Sequence, residues 1–248
     1  MSMDFKPAIL IPVYRHGKAC AQVVEQILRY EIPVILVDDG NTEETKKYLE
    51  QIRQNHPEVE LVVLDKNRGK GGAMKAGVIF AKNAGYSHVL QMDADGQHDS
   101  ARIPFFIEKS RLSPEKLICG YPEYDESAPG HRKNAHKFAN TWCAIITWSG
   151  EIVDALCGFR VYPVEAAYGF FSKSFFDKRM GFDVEILIKL LWAGVDIEFY
   201  PVKVTYPSDG ISNFHAFRDN VRISWVFTRL CLKMILLSPL FLWRKIFR

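Results

Sequence analysis

Four short apolar runs punctuate the first part of the chain: residues 8–14 (AILIPVY), 32–37 (IPVILV), 59–64 (VELVVL) and 88–92 (HVLQM). They are rich in Val, Ile and Leu and barely alternate, which is the pattern of strands buried on both faces of a parallel sheet. Segments of helical length lie between them, near 17–30, 42–55 and 70–84. Repeated strand–helix units predict helices on both faces of the sheet, with ligands bound at the carboxyl ends of the strands. The second, third and fourth runs end at Asp38–Asp39, Asp65 and Asp93–Asp95. Carboxylates at three such ends are expected of an edge that meets a cation or a polar ligand.

Beyond residue 120 the pattern loosens. Residues 121–134 (YPEYDESAPGHRKN) hold two prolines, a glycine and mixed charge, and read as a long loop of the kind that carries function. A helix near 135–149, a strand-rich portion to about 206 and a C-terminal tail complete the chain. No internal repeat or low-complexity segment interrupts it. The expected organisation is one α/β domain over 1–213 and a tail over 214–248.

The tail reads as one helix over 214–237, stopped by Pro239. At 100° per residue Arg218, Arg222, Arg229 and Lys233 share about 60° of arc, a narrow basic stripe on an otherwise largely apolar helix. The longest charge-free run, residues 234–243, has ten residues, against the roughly 20 that span a bilayer. The preferred expectation is an amphipathic helix lying in a membrane interface with snorkelling cations. The competing one is a helix packed on the body or on a dimer partner.

Composition narrows the class further. With 48% hydrophobic and 25% charged residues, the chain is neither disordered nor fibrous. Its net charge of +3 is unevenly placed. All 29 acidic residues lie at or before Asp219, with 26 of the 32 basic ones, giving a body of −3 and a tail of +6. That asymmetry points to a membrane surface or an acidic partner rather than to nucleic acid. Five cysteines, odd in number and without a Cys-x-x-Cys pair, fit a reducing compartment. The N-terminus has no charged segment followed by a long apolar one, so no secretory signal is evident. The expected location is cytoplasmic, peripheral to the inner face of the membrane.

Three motifs carry candidate chemistry. Asp93-Ala94-Asp95-Gly96-Gln97 follows a strand, and Gly96 permits the turn that brings alternate carboxylates together. With Gln97 they form an oxygen-rich set suited to Mg2+ or Mn2+, or else an acidic turn that solvates a strand end. Asp38-Asp39-Gly40-Asn41 offers carboxylates to a base or ribose, while Asn41 or Thr42 is also placed to cap the next helix. Asn67-Arg68-Gly69-Lys70-Gly71-Gly72 opens a helix with free backbone N–H groups and two cations, suited to a phosphate or to a structural turn. It has neither the Walker spacing nor the dinucleotide fingerprint.

Taken in order, Pro12 and Tyr14, the acidic pair, the Asn-x-Gly-Lys turn and Asp-Ala-Asp-Gly-Gln resemble family 2 glycosyltransferases. Within that family the likeness is to dolichyl-phosphate mannose and glucose synthases and their bacterial relatives. It continues through Asp154-Ala155-Leu156-Cys157-Gly158-Phe159-Arg160 and Gly181-Phe182-Asp183-Val184-Glu185, and so spans about residues 7–215.

The resemblance implies a GT-A fold and inverting transfer of a sugar from a nucleotide-diphosphate donor to a lipid-linked acceptor. Pro12, Tyr14 and Asp39 would line the nucleoside pocket with Asp38 beside them. Asp93 would contact nucleotide and metal, Asp95 and Gln97 would ligate the Mg2+ or Mn2+, and Lys70 would support the leaving diphosphate. Asp154 is the candidate base, and Arg132 and Arg160 match positions near a lipid phosphate. Asp183 and Glu185 fit an acidic motif or a helix N-terminus equally well.

The sequence departs from the family pattern at Arg15-His16, at Asn41 and at Asn213. A nucleotidyltransferase acting on sugar phosphates, and a non-catalytic membrane-associated nucleotide-binding scaffold, are the alternative functions. A dehalogenase-type phosphatase is disfavoured by Gln97.

Overall fold

A computed structural model describes residues 4–124, 130–173, 175–205 and 216–247, with the side chains of Tyr124, His131, Arg132, Ala216, Phe217 and residues 240–247 outside that description. Seven strands form one sheet in the order β3-β2-β1-β4-β6-β5-β7. The first four are β1 (Pro7–Val13), β2 (Val34–Asp38), β3 (Val59–Val63) and β4 (His88–Gln91), paired in parallel. The four apolar runs therefore form the expected strands to within a few residues. β3 differs in burial: it sits at the sheet edge and Val63 is 59% exposed.

The sheet continues through β5 (Leu117–Tyr124), β6 (Arg160–Pro163) and β7 (Ile197–Val204). β6 runs antiparallel to both its neighbours, β4 and β5. The segment before β6 consequently arrives at the edge where β1, β2 and β4 end. Gln91 faces Arg160 across the pair.

Helices α1 (Gly17–Ile27), α2 (Glu43–Asn55) and α4 (Ile103–Leu112) pack on one face of the sheet. Helices α3 (Lys70–Asn83), α5 (Gly130–Thr147), α6 (Val164–Lys173), α7 (Phe182–Trp192) and α8 (Ala216–Phe247) pack on the other. Alternate residues of β1 serve the two cores: Ala8 and Leu10 face the second group, Ile9, Ile11 and Val13 the first.

The loop expected over 121–134 is largely regular structure, because β5 runs to Tyr124 alongside β7 and α5 begins at Gly130. Only residues 125–129 between them lie outside the described ones.

The tail also departs from its expected bounds. α8 passes through Pro239 instead of stopping there. A proline cannot donate to the carbonyl four residues back, here that of Ile235. The Ser238 hydroxyl donates to that carbonyl at 2.7 Å and replaces the missing bond. α8 is anchored to the body by Val226, Phe227 and Leu230, all buried. Its outward arc is apolar: Val221, Trp225, Leu232, Ile235 and Leu236 are 56–80% exposed. With Thr228 they fall within about 100° of helix circumference. Among the described residues no helix is long and apolar enough to cross a membrane.

Candidate active site

The carboxyl ends of β1, β2 and β4 form a crevice, since the chain leaves β1 in one direction to β2 and β4 pairs on its other side. Asp93 follows β4 into this crevice. Its Oδ1 lies 2.8 Å from the Lys70 ammonium, which stands on the first residue of α3. The same ammonium lies 2.9 Å from Asp183 Oδ2 on the first turn of α7. Burial alone would lower the Lys70 pKa, but Asp183 and Asp93 outweigh it and hold it above the ordinary lysine value. Burial likewise favours a protonated Asp93; Lys70, His98 and Arg160 outweigh it and hold its pKa below the usual carboxylate range. The Lys70 cation and the Asp93 anion thus fix each other's charge.

A closed ring of hydrogen bonds sits beneath this trio. Gln91 Nε2 donates to Asp183 Oδ1 at 3.0 Å, and the Tyr162 hydroxyl donates to Gln91 Oε1 at 3.2 Å. The Arg160 guanidinium donates to the Tyr162 oxygen at 3.4 Å and to the Asp183 carbonyl at 2.7 Å, closing the ring. It also donates to the Ala155 carbonyl at 2.9 Å. Arg160 is fully buried. The expectation of Arg160 as an acceptor-phosphate contact is corrected on this point: its guanidinium is enclosed by main-chain carbonyls and Tyr162. It braces the floor of the site. The Arg132 side chain lies outside the described residues, on the first turns of α5.

Gly158, just before β6, brings its backbone close to Asp93 and Lys70. A Cβ there would lie 2.7 Å from Asp93 Oδ2 and 2.8 Å from Lys70 Nζ. Four residues earlier, Asp154 is buried and turned onto its own chain. One oxygen accepts from Leu156 N at 3.0 Å and Cys157 N at 2.7 Å, and the other lies 2.5 Å from His136 Nδ1. His136, half-buried on α5, is the more accessible member of this pair. Sequence reading missed it, since the Asp154 partner sits on a different element with no motif spacing.

In the Asp93–Gln97 turn Gly96 has φ 72° and Asp95 Oδ1 accepts from Gln97 N at 3.1 Å. Its far end is tied to β7, where Thr205 N donates to the Gln97 carbonyl at 3.0 Å and Asp99 N to the Lys203 carbonyl at 3.1 Å. Asp95 and Gln97 are half-buried at the crevice. The His98 ring lies 5.5 Å from that of Phe159, tilted by 52°, and its Nε2 lies 3.8 Å from Cys157 Sγ.

The acidic pair after β2 organises neighbouring loops. Asp38 Oδ1 accepts from Asn41 N at 2.9 Å and Asn41 Nδ2 at 2.7 Å, while Asn41 also bonds the Val13 carbonyl and Arg15 N. Asp39 accepts from Asn67 Nδ2, Arg68 N and Gly69 N at 2.6–3.0 Å. Its burial raises the carboxyl pKa in spite of the two backbone donors. Pro12 lies in β1 opposite Val37, and half-buried Tyr14 packs 5.2 Å from the Arg15 guanidinium.

The glycine-rich turn has a packing role that its spacing did not reveal. A Cβ on Gly69 would lie 2.4 Å from the Lys178 carbonyl, and one on Gly71 2.8 Å from the Asp177 carbonyl. The turn is docked against residues 177–182. Arg179 joins the two by donating to Asn67 Oδ1 at 3.1 Å. A cleft of about 670 Å3 opens beside it, walled by Asn67, Arg68, Lys178, Arg179 and Arg222 among others. Asn213, one of the departures from the family pattern, lies outside the described residues.

The model for glycosyl transferase family 2 matches residues 8–173, two thirds of the chain. The chain belongs to that family. Among its relatives, the dolichyl-phosphate beta-glucosyltransferase of Dictyostelium discoideum is 26% identical over 84% of this chain and 65% of its own length. The undecaprenyl-phosphate mannosyltransferase of Micrococcus luteus is 24% identical over 78% of this chain and 81% of its own. This glycosyltransferase therefore spans somewhat less than two thirds of the Dictyostelium enzyme. A solved structure, glucosyl-3-phosphoglycerate synthase of Mycobacterium tuberculosis with Mn2+, UDP-glucose and phosphoglyceric acid, has a TM-score of 0.69 at 13% identity, covering 93% of this chain and 79% of that one. The shared architecture is the GT-A fold.

Proposed function

We propose that this glycosyltransferase moves a sugar, with inversion, from a nucleotide-diphosphate donor to a polyprenyl-phosphate acceptor at the cytoplasmic membrane face, with a divalent cation. The observation that carries the reading is the Lys70–Asp93–Asp183 trio beside the Asp93–Gln97 turn at the sheet's switch point. The named activities of the dolichyl- and undecaprenyl-phosphate relatives support the acceptor class.

The donor set fits a hard cation. Asp93, Asp95 and the Gln97 amide carbonyl supply oxygen, and among the described residues three or more His, Cys, Asp or Glu gather nowhere into a metal cage. A divalent ion held here would complete its shell from diphosphate and water, as Mg2+ and Mn2+ do; the mycobacterial structure contains both Mn2+ and UDP-glucose. When bound, such an ion neutralises charge on the leaving diphosphate.

In this proposal Lys70, kept cationic by Asp183, adds a second positive charge at the leaving group. Pro12, Tyr14 and Asp39 border the nucleoside, with Asp38 holding the loop through Asn41. An ionised phosphate acceptor needs no base, so Asp154 works through His136, which it holds by Nδ1, on the acceptor side. Arg132 supplies acceptor-phosphate binding, and Arg160 supports the floor. The exposed apolar arc of α8 is the membrane-facing surface, since a stripe of this kind on one helix face marks an interaction site.

The test is incubation of the full chain with a panel of nucleotide sugars, a polyprenyl phosphate and Mn2+. Release of nucleoside diphosphate with glycolipid supports transfer; pyrophosphate released instead in a parallel reaction supplied with nucleoside triphosphates and sugar phosphates identifies a nucleotidyltransferase. Asp95→Ala is expected to abolish turnover at unchanged thermal stability, and near-normal turnover overturns the cation assignment.

A further inference from the structure

On the far side of α7 from the donor crevice lies a second charged cavity. Asp183 faces Lys70, whereas Glu185 is two residues on, about 200° around the helix, and points the opposite way. Glu185 is fully buried, with Oε1 2.6 Å from the Lys189 ammonium and Oε2 2.6 Å from the Arg229 guanidinium of α8. Asp177 N also donates to Oε2 at 2.7 Å. These bonds set Lys189 and Arg229 in the wall of a cavity of about 230 Å3, completed by Lys173 from the end of α6, Phe175, Leu230 and Lys233.

Four cations from three helices therefore line the cavity, and its one carboxylate, Glu185, pairs with two of them. Lys189 registers the imbalance: burial, with Lys233 and Arg229 adding to it, pulls its pKa below the ordinary lysine value although Glu185 opposes them. The cavity lacks negative charge, and its donors are an arginine fork and lysine ammoniums, the chemistry that takes phosphate oxygens.

The rim of the cavity is apolar. Phe175 is 80% exposed and lies 4.8 Å from the Arg229 guanidinium. On α8 Leu232 and Leu236, 59% and 80% exposed, flank Lys233. A cationic hollow rimmed by outward apolar side chains matches the boundary between phospholipid headgroups and acyl chains.

We propose that this cavity between α6, α7 and α8 binds the headgroup phosphate of an anionic phospholipid, orienting the enzyme on its membrane. The lipid source of the phosphate rests on the membrane reading above; the phosphate site itself does not. Recognition is of the phosphate group, so a soluble phosphate competes for it.

The test compares the full-length wild type with Lys173→Gln/Lys233→Gln, two exposed lysines outside the Glu185 ion pairs, so thermal stability stays unchanged. Co-sedimentation uses phosphatidylcholine vesicles with and without phosphatidylglycerol, and calorimetry uses inorganic phosphate. On phosphatidylglycerol vesicles the double variant is expected to bind about thirtyfold more weakly, as two cations near an anionic surface imply. Inorganic phosphate should compete with wild-type binding, and its own calorimetric binding should vanish in the variant.

Equal binding of both proteins to phosphatidylglycerol vesicles overturns the proposal. Phosphate binding that the variant loses, with no vesicle binding by the wild type, overturns the lipid source and the membrane reading together while retaining an anion site. Trp225→Ser/Leu236→Ser, which alters the apolar arc alone, should lose vesicle binding and keep phosphate binding; loss of both overturns the separate site.

Discussion

Lys70 shows how a residue acquires its role from partners far along the chain. Read locally it is a cation in a glycine-rich turn; in the fold it stands between Asp93 and Asp183. Asp183→Asn leaves the ammonium with one carboxylate and a weakened hold on Gln91, and is expected to cost about 2–4 kcal/mol of stability, measured by denaturant unfolding. Gly158→Ala tests the same trio from above. Its Cβ, 2.7 Å from Asp93 Oδ2, forces either the loop or the ion pair to move. The expected result is about 1–3 kcal/mol of destabilisation and at least a roughly tenfold loss of donor affinity by calorimetry.

The charge pattern also sets a pH window. Lys70, raised in the fold, contributes fully below its unfolded value of 10.5 and loses that contribution only as pH rises through a still higher one. Asp93, lowered in the fold, contributes above its unfolded value of 3.8 and loses that as pH falls through a lower one. The stability difference between wild type and Lys70→Met should therefore be flat between about pH 5 and 9 and shrink on further acidification, as urea unfolding across pH would record.

Among the elements, α8 carries most of what the chain's pattern foreshadowed and most of what it concealed. A narrow basic stripe on an otherwise largely apolar helix is legible in the sequence and fits a membrane interface with snorkelling cations. In the fold Arg229 turns to the buried Glu185 and Arg222 borders the cleft beside Arg179, while the outward arc is apolar. The helix thus both packs on the body and leaves an interaction surface open. Truncation at residue 222 would remove the buried Val226, Phe227 and Leu230, so point substitutions separate the two roles. Phe227→Ala should lower stability by about 3–5 kcal/mol in thermal unfolding with vesicle binding retained. Trp225→Ser/Leu236→Ser should leave unfolding unchanged and abolish vesicle binding.

For the whole molecule, one reversed strand decides the site. Because β6 opposes β4, the Asp154–Phe159 segment reaches the edge where β1, β2 and β4 deliver their carboxylates. The crevice then has Gly158 against the Asp93–Lys70 pair and the Gln91–Tyr162–Arg160 ring beneath it. The crevice and the Glu185 cavity share α7, and each uses one of two acids spaced to point in opposite directions.

Strand runs, their acidic ends and the Asp93–Gln97 turn were legible in the amino-acid sequence because each depends on neighbours in the chain: side-chain periodicity, burial pattern and the turn that Gly96 allows. The family likeness came from the same local motifs in their order. The direction of β6, the enclosure of Arg160, the His136–Asp154 pair and the inward turn of Arg229 were not legible. Each depends on which distant surface a helix or strand packs against, and that is settled by the shape and charge of the assembled core rather than by the spacing of residues along one element.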